Sequence, residues 1–239
     1  MTAGQPGVRP RRVGLGRPPL HDNQRERVIA CAAELFAREG FENVGMGRLA
    51  DAVGISKAGV YHYFRAKREI LDAIVITTLD GLMETVAEAT VEMTRPRERL
   101  FAFITAHAAY FEANYWAFTA MLVGFGGLGS PTPREAGVEQ RDRYEGLLRQ
   151  ILQEGIDSGD FRTVHIPTAS RAALSMLNWM ARWFDPSGPE RATDIAARYA
   201  ELLLDGLGRR ATDPAPPRAH PASRETRRAS RRAEARLEA

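Results

Sequence analysis

Apolar residues recur at helical spacing along most of the chain, and residues 97–208 show no strand signal. The first apolar stripe consists of Val28, Ile29, Ala32, Leu35 and Phe36. It predicts an amphipathic helix that begins near Asn23, where Asn23 and Glu26 have the spacing of a capping box, and that ends at Gly40. The pattern favours an all-α protein.

Residues Met46 to Phe64 predict two short helices joined by a tight turn. Ala50 is small, as a close helix crossing requires, and Gly54 can adopt the positive φ of a sharp turn. Ser56 stands where an N-cap of the second helix belongs. The expected buried face consists of Leu49, Val53, Ile55 and Val60. This stretch is therefore a candidate helix-turn-helix, the second helix of which is a candidate recognition helix.

The later stripes predict a larger helical region. A fourth helix is expected from about residue 65 to as far as Met93, and Pro96 interrupts it. Three further helices are expected up to about Gly155, with a loop from Gly124 to Pro133 before the third. That loop contains a literal G-x-G-x-x-G, but a helix precedes it and two prolines follow it, so a dinucleotide site is disfavoured.

The last two helices are the expected dimer element. Pro167 suits a helix start, and the run from Ala172 to Phe184 is apolar on most sides, so that it must be covered on several faces. The final stripe comprises Ile195, Tyr199, Leu202, Leu203 and Leu207, and it ends at Gly208.

Composition excludes several classes of protein. No apolar run approaches the length of a membrane span, and the N-terminus lacks the apolar core of a signal peptide, so a cytoplasmic protein without a membrane partner is expected. A single cysteine, Cys31, excludes an intrachain disulfide framework. We find no metal-ligand spacing, nucleophile motif or credible phosphate loop, and therefore expect neither an enzyme nor a cofactor.

Positive charge is concentrated at the two ends of the chain and in the candidate recognition helix. Residues 1–20 carry four arginines and no acid, and residues 209–239 carry nine arginines against four acids. Only two of the 33 basic residues are lysines, Lys57 and Lys67, and both lie in or beside the recognition helix. These positions suggest point-charge contacts with phosphates.

The segment AAELFAREGFENVGMGRLADAVGISKAGVYHYFRAKREIL resembles the DNA-binding domain of TetR-type transcriptional regulators over roughly residues 24–72. The matching positions are Phe36, Gly40, Phe41, Ala50, Gly54, Ser56, Gly59, Tyr61, His62 or Tyr63, Phe64, Lys67 and Leu71. One departure is Val44-Gly45-Met46-Gly47 at the start of the second helix, where the family usually has a threonine or serine that caps the helix and often touches a phosphate. Gly45 can cap only weakly, so the fold is expected to hold without a phosphate contact from this position.

The resemblance implies DNA-binding roles for Ser56, Lys57, Gly59, Tyr61, His62 and Lys67. Lys57 projects from the first helical turn, Gly59 permits close approach to the DNA, and Tyr61 and His62 can donate to phosphates or read base edges. Lys67, at the start of the fourth helix, can hold a phosphate through its charge together with the free amides of that helix. Double-stranded operator DNA is thus the expected partner, bound by a homodimer through two recognition helices.

The family also implies a ligand pocket in the larger domain. The candidate ligand-binding residues are Phe101, His107, Tyr110, Phe111, Trp116, Phe125, Tyr144, Asn178, Trp179 and Arg182, although ordinary core packing is the alternative for each aromatic residue. The segment from Met176 to Pro189 is similar to one in regulators of fatty-acid and steroid catabolism that respond to acyl-CoA thioesters. A small apolar or acyl-CoA-like ligand is therefore expected.

The predicted organisation has four parts. Residues 1–20 form a flexible basic arm, 21–66 a three-helix helix-turn-helix domain, 67–208 a larger helical domain for ligand binding and dimerisation, and 209–239 a disordered basic tail. The leading function is a ligand-responsive repressor. Its alternatives are a drug-sensing repressor of an efflux pump and, more remotely, an architectural DNA-binding protein.

Overall fold

The computed structural model describes residues 23–126 and 135–208, and within these ranges the chain folds into nine α-helices. They are α1 (Asn23–Glu39), α2 (Met46–Val53), α3 (Lys57–Tyr63), α4 (Lys67–Val91), α5 (Pro96–Ala113), α6 (Tyr115–Gly126), α7 (Glu135–Asp157), α8 (Ile166–Trp179) and α9 (Ala192–Leu207). The predicted all-α class is confirmed. The predicted arm at 1–20 and tail at 209–239 lie outside the described residues.

Two predicted boundaries differ from the structure. Helix α6 continues to Gly126, so the first residues of the predicted loop are helical, and residues 127–134 lie outside the described part. Helix α8 ends at Trp179 and a single 3-10 turn, Met180–Arg182, follows it. The amides of Trp183 and Phe184 both donate to the carbonyl of Met180, which tightens the chain before Pro186.

The side chains form two hydrophobic cores. The smaller core joins α1, α2, α3 and the first turns of α4, with Phe36, Leu49, Val60 and Ile70 fully buried in it. The larger core is built by the rest of α4 together with α5 to α9, and it contains Phe103, Phe111 and Phe118. The helix-turn-helix therefore packs around a hydrophobic core of its own.

Two helices belong to both cores. Helix α4 places Ile70 and Ile74 in the smaller core and Leu82 and Val86 in the larger one. Helix α6 places Ala120 in the smaller core and Phe118 in the larger one, and it packs against both α1 and α4. A displacement of α6 should therefore shift α1 as well, because close-packed interiors transmit strain.

The end of α9 is held by the segment that joins α7 to α8. The amide of Arg162 donates to the carbonyl of Leu207 at 2.9 Å, and its Nε donates to the carbonyl of Gly206 at 2.7 Å. Phe161 and Gly208 form an isolated antiparallel bridge. Among the described helices, none is long and apolar enough to cross a membrane.

Candidate functional site

The turn between α2 and α3 has the geometry that its sequence predicts. Gly54 adopts φ 75° and ψ 34°, the left-handed conformation that glycine enters without a Cβ penalty. Its amide donates to the carbonyls of Ala50 and Asp51 at 3.0 and 3.2 Å, and the amide of Ile55 also donates to Ala50. These bonds satisfy the last carbonyls of α2 and fix the direction in which α3 leaves.

Helix α3 is capped by Ser56, and α2 has no side-chain cap. The Ser56 hydroxyl accepts from the amide of Gly59 at 3.1 Å. Gly45 occupies the N-cap position of α2 and offers no side chain. The predicted weak opening of α2 and the predicted cap of α3 are both present.

The Ser56 cap carries a testable expectation. Replacing Ser56 by alanine removes the acceptor of an otherwise orphaned amide and should lower the free energy of unfolding by about 1 kcal/mol. Chemical denaturation followed by circular dichroism measures this change. Ser56→Thr retains a capping hydroxyl and should stay close to the wild type; equal losses in both variants would contradict the capping role.

The outer side of α3 carries three of the predicted DNA-binding side chains. Lys57, Tyr61 and His62 are exposed, and Tyr61 leaves 45% of its surface accessible although it is a large aromatic residue. Val60, between them, is fully buried and packs α3 against α2. An exposed aromatic residue flanked by a lysine and a histidine can offer hydroxyl, ammonium and imidazole donors to a phosphate or a base edge.

Gly59 has no crowded neighbour within the protomer. A Cβ placed there would meet the side chains of Ile55 and Ser56 at 3.4 Å, at the edge of ordinary van der Waals contact. Packing inside this chain therefore does not require a glycine at position 59. The close approach of Gly59 to DNA stays a prediction.

Lys67, which is predicted to contact DNA, also forms hydrogen bonds within the chain. Its ammonium donates to the carbonyls of Phe41 and Glu42 and lies 4.2 Å from the centroid of the Phe41 ring. It thus ties the start of α4 to the turn that follows α1. Its predicted phosphate contact has to be made alongside these internal bonds, and it stays a prediction.

No role was predicted from the sequence for the arginines of α1, which contact the residues around the helix-turn-helix. The guanidinium of Arg27 donates to the carbonyl of Val53 at the end of α2, at 3.2 Å. Arg25 lies over the ring of Phe64, and Arg38 over the ring of Trp116 in α6, 4.5 Å from its centroid. Their one sequence signal was that they fall on the polar side of the first apolar stripe.

The larger core contains a buried polar pair, His107 of α5 and Tyr144 of α7. Nδ1 of His107 and the Tyr144 hydroxyl are 2.7 Å apart, and both side chains are buried. Phe103 lies against the Tyr144 ring and Phe118 lies edge-on to the His107 ring. The pair is therefore enclosed by aromatic rings.

Burial keeps this pair uncharged. It lowers the pKa of His107 to about 3 and raises the pKa of Tyr144 well above its ordinary value, because an apolar surrounding disfavours the charged form of each group. Nε2 of His107 is buried and has no hydrogen-bond partner among the described residues, and the same holds for the hydroxyl of Thr119 on α6. A buried polar atom without a hydrogen-bond partner lowers the stability of the fold. When Nε2 carries the proton of the neutral ring, it can donate a hydrogen bond to an acceptor atom of a ligand.

The structure brings together some of the predicted ligand-binding residues. Phe111 is buried and its ring contacts Phe118, which also contacts His107. Tyr110 lies half-buried beside α4, so close to Gly81 that a Cβ there would stand 2.6 Å from its hydroxyl. Burial, with a smaller effect of Asp80, raises the pKa of Tyr110. Phe103 and Phe118 were not predicted to be ligand-binding, although Phe103 precedes His107 by one helical turn.

The remaining predicted ligand-binding residues lie elsewhere. Trp116 is partly buried and packs against the smaller core, and Phe101 is 38% exposed on α5. Trp179 is 64% exposed with Arg182 beside its ring, and Asn178 is half-buried next to it. The side chain of Phe125 lies outside the described part of the chain. The ligand roles of these residues stay predictions that no contact in the described structure supports.

A separate cavity of about 630 Å³ opens between α8 and α9. Its walls include Ala169, Ala172, Leu202 and Gly206, and Leu100 and Leu152 also line it. None of the predicted ligand-binding residues lines this cavity. Among the described residues, no group of His, Cys, Asp and Glu side chains is arranged to hold a metal ion.

Comparison with known proteins matches both parts of the chain. The family model of bacterial regulatory proteins, tetR family, matches residues 28–74, and the model of the tetracyclin repressor-like C-terminal domain matches residues 93–207. The transcriptional repressor KstR2 of Rhodococcus jostii is 27% identical over 197 residues, which cover 80% of this chain and 96% of KstR2.

Solved structures show the same relationship. The TetR family transcriptional regulator PfmR from Thermus thermophilus is 46% identical, with a TM-score of 0.70, over 77% of this chain and 100% of PfmR. AibR, solved with isovaleryl coenzyme A and operator DNA, shares the fold at 23% identity and a TM-score of 0.66, over 76% of this chain and 98% of AibR.

Proposed function

The chain belongs to the TetR family of transcriptional regulators, and we propose that it is a ligand-responsive repressor that binds a palindromic operator as a homodimer. The observation that carries the proposal is the outer side of α3, where Lys57, Tyr61 and His62 are exposed on a capped helix. Residues 21–66 are assigned to DNA binding and 67–208 to ligand binding and dimerisation. Action on operator DNA implies a cytoplasmic protein.

Dimerisation through α8 and α9 would supply the second recognition helix. Two-fold symmetry places two copies of α3 in successive major grooves, about 34 Å apart, when their spacing matches one turn of B-DNA. The proposal is supported by the exposed apolar side chains of these two helices, Trp179 and Leu202. The basic segments at 1–20 and 209–239 would add sequence-independent attraction to phosphates.

We infer that the effector carries an apolar acyl chain next to a neutral carbonyl group, as an acyl-CoA thioester does. His107 and Tyr144 are buried and uncharged, which suits a neutral polar atom better than a charged one. The Nε2 atom of His107 would donate to the carbonyl oxygen, while Phe103, Phe111 and Phe118 would contact the acyl chain. The isovaleryl coenzyme A bound to AibR supports this choice.

Helix α6 is the proposed link between effector and DNA. Phe118 touches the His107 ring on one side of α6, and Trp116 on another side lies under Arg38 of α1. An effector that wedges against Phe118 would favour a conformer with α6 displaced, and α1 would move with it. The two recognition helices would then be wrongly spaced for adjacent grooves, and the operator would be released.

A mobility-shift titration tests the function directly. A panel of straight-chain and steroid acyl-CoA thioesters should lower operator affinity about tenfold or more, because coupling energies in such proteins are typically about 1–3 kcal/mol. Free coenzyme A lacks the thioester carbonyl and the acyl chain, so it should have no effect.

A matched variant separates the effector site from the DNA site. His107→Phe with Tyr144→Phe removes both polar groups and keeps the ring packing, so operator binding should persist while the response to acyl-CoA is lost. A wild-type protein that responds to no acyl-CoA but is released by cationic drugs would instead support the efflux-pump alternative. A protein that binds no operator DNA would contradict the function itself.

A further inference from the structure

The exposed face of α8 and α9 contains both a protruding side chain and a cavity. Trp179, at the end of α8, is 64% exposed, an unusual state for the largest apolar side chain. The cavity of about 630 Å³ opens toward the other end of the same helix, between Ala169, Ala172 and Gly206. Small residues on both helices keep it open, and Leu202, 66% exposed, stands at its wall.

The two features lie on one stripe of α8. Thr168, Ala172, Ser175 and Trp179 follow one another at i, i+4, i+7 and i+11, and all four are exposed. Thr168 and Ala172 line the cavity, and Ser175 lies midway between Ala172 and Trp179. If a two-fold axis passes close to Ser175 and perpendicular to α8, the Trp179 end of one copy faces the cavity end of the other. The small side chain of Ser175 permits a close approach there.

The charges of the two helices are complementary. The charged residues of α8 and the 3-10 turn after it are both basic, Arg171 and Arg182. Helix α9 carries three acids, Asp194, Glu201 and Asp205, and one base, Arg198, which already pairs with Glu190 outside the helix. In the described structure, Arg171, Glu201 and Asp205 form no ion pair within the chain. Packing of α8 against α9 of a second copy would therefore bring opposite charges together.

We propose that Trp179 of each protomer inserts into the α8–α9 cavity of the other protomer and is the main contact that holds the dimer together. The pairing rests on the homodimer proposed above and names its central contact. It is self-complementary, as a two-fold interface requires, and it buries Trp179 and Leu202 together. It assigns Trp179 to the dimer interface instead of the effector site.

The dissociation constant of the full-length dimer, measured by sedimentation equilibrium, tests the pairing. Trp179→Ala should raise this constant about a thousandfold, since truncating a central tryptophan typically changes affinity about 30-fold or more and a symmetric dimer loses two. Ala172→Trp fills the cavity from within and should weaken the dimer to a similar extent. Both positions are exposed in the protomer, so the helical circular dichroism of each variant should match that of the wild type.

The double variant Trp179→Ala with Ala172→Trp gives the sharpest result. It lacks the protruding side chain, and an indole from its own chain occupies the cavity, so its dissociation constant should be lower than that of either single variant. Val91→Ala is the control, because it removes exposed apolar surface outside α8, α9 and the walls of the cavity between them, and it should leave the constant within about threefold of the wild type.

The outcomes separate this pairing from the dimer itself. A wild-type chain that stays monomeric at all concentrations would overturn both the proposed homodimer and the pairing. A dimer that Trp179→Ala weakens no more than the Val91→Ala control does would overturn the pairing alone, and would assign the cavity to another occupant such as an apolar ligand. Effects of the two single variants that simply multiply in the double variant would overturn it as well.

Discussion

Replacing Lys57 and Tyr61 together by alanine is expected to lower operator affinity about a thousandfold. Each side chain is exposed on α3, and each contact with a phosphate or base edge is worth about 1 kcal/mol or more. A two-fold dimer loses four such contacts, about 4 kcal/mol in total. Mobility-shift or fluorescence-anisotropy titrations at a fixed salt concentration measure the change.

The salt dependence and a matched variant identify what each residue does. If Lys57 contacts a phosphate in both half-sites, Lys57→Ala should reduce the slope of log affinity against log salt by about 2. Tyr61→Phe retains the ring and removes the hydroxyl, so it should reproduce most of the loss if Tyr61 donates a hydrogen bond. A double alanine variant that keeps wild-type affinity at moderate salt, while remaining a dimer, would refute the assignment of α3 as the DNA reader.

Acid should destabilise this protein through His107. The pKa of His107 is lowered to about 3 by burial, whereas the unfolded chain takes up this proton near the ordinary value of 6.5. Between these two values the unfolded state binds more protons than the folded state, so stability falls as the pH falls from 6.5 towards 3. The share of His107 in this loss should be about 3 kcal/mol between about pH 7 and pH 4.

Denaturant unfolding at a series of pH values measures this share. The His107→Phe, Tyr144→Phe variant has no titrating group at either position and leaves neither partner of the hydrogen bond unsatisfied, so its stability should fall less steeply with acid. Below about pH 6, the slopes of unfolding free energy against pH should differ between the two proteins by about 1.4 kcal/mol per pH unit. This difference corresponds to the uptake of one proton by His107 on unfolding. Parallel curves for the two proteins would show that His107 takes up its proton as easily in the folded chain as in the unfolded one.

Local patterns in the sequence were sufficient for the helix-turn-helix. The apolar spacing, Gly54 and the Ser56 hydroxyl act over one or two helical turns, so the residues that determine α2, the turn and α3 are all neighbours in the chain. The same holds for the end of α1 before Gly40 and of α9 before Gly208. The match to the family over residues 28–74 agrees with this local specification.

Lys67 shows where local reasoning was insufficient. Its position beside the recognition helix predicted a phosphate contact, but its ammonium bonds to carbonyls of residues 41 and 42, about 25 positions earlier in the chain. A lone lysine near a recognition helix carries no sign of such a long-range partner. Its substitution should therefore affect stability as well as DNA binding, which is why Lys57 and Tyr61 give the cleaner test.

Which residues form the proposed effector site was determined mainly by the tertiary structure. The sequence by itself determined an all-α chain, a capped recognition helix and a set of aromatic candidates, because helical periodicity and caps are short-range properties. Only the fold decided that His107 meets Tyr144 across α5 and α7, while Trp179 stays on the surface. Aromatic residues on an apolar stripe look alike in sequence, and which of them share a site is set by the angles at which distant helices pack.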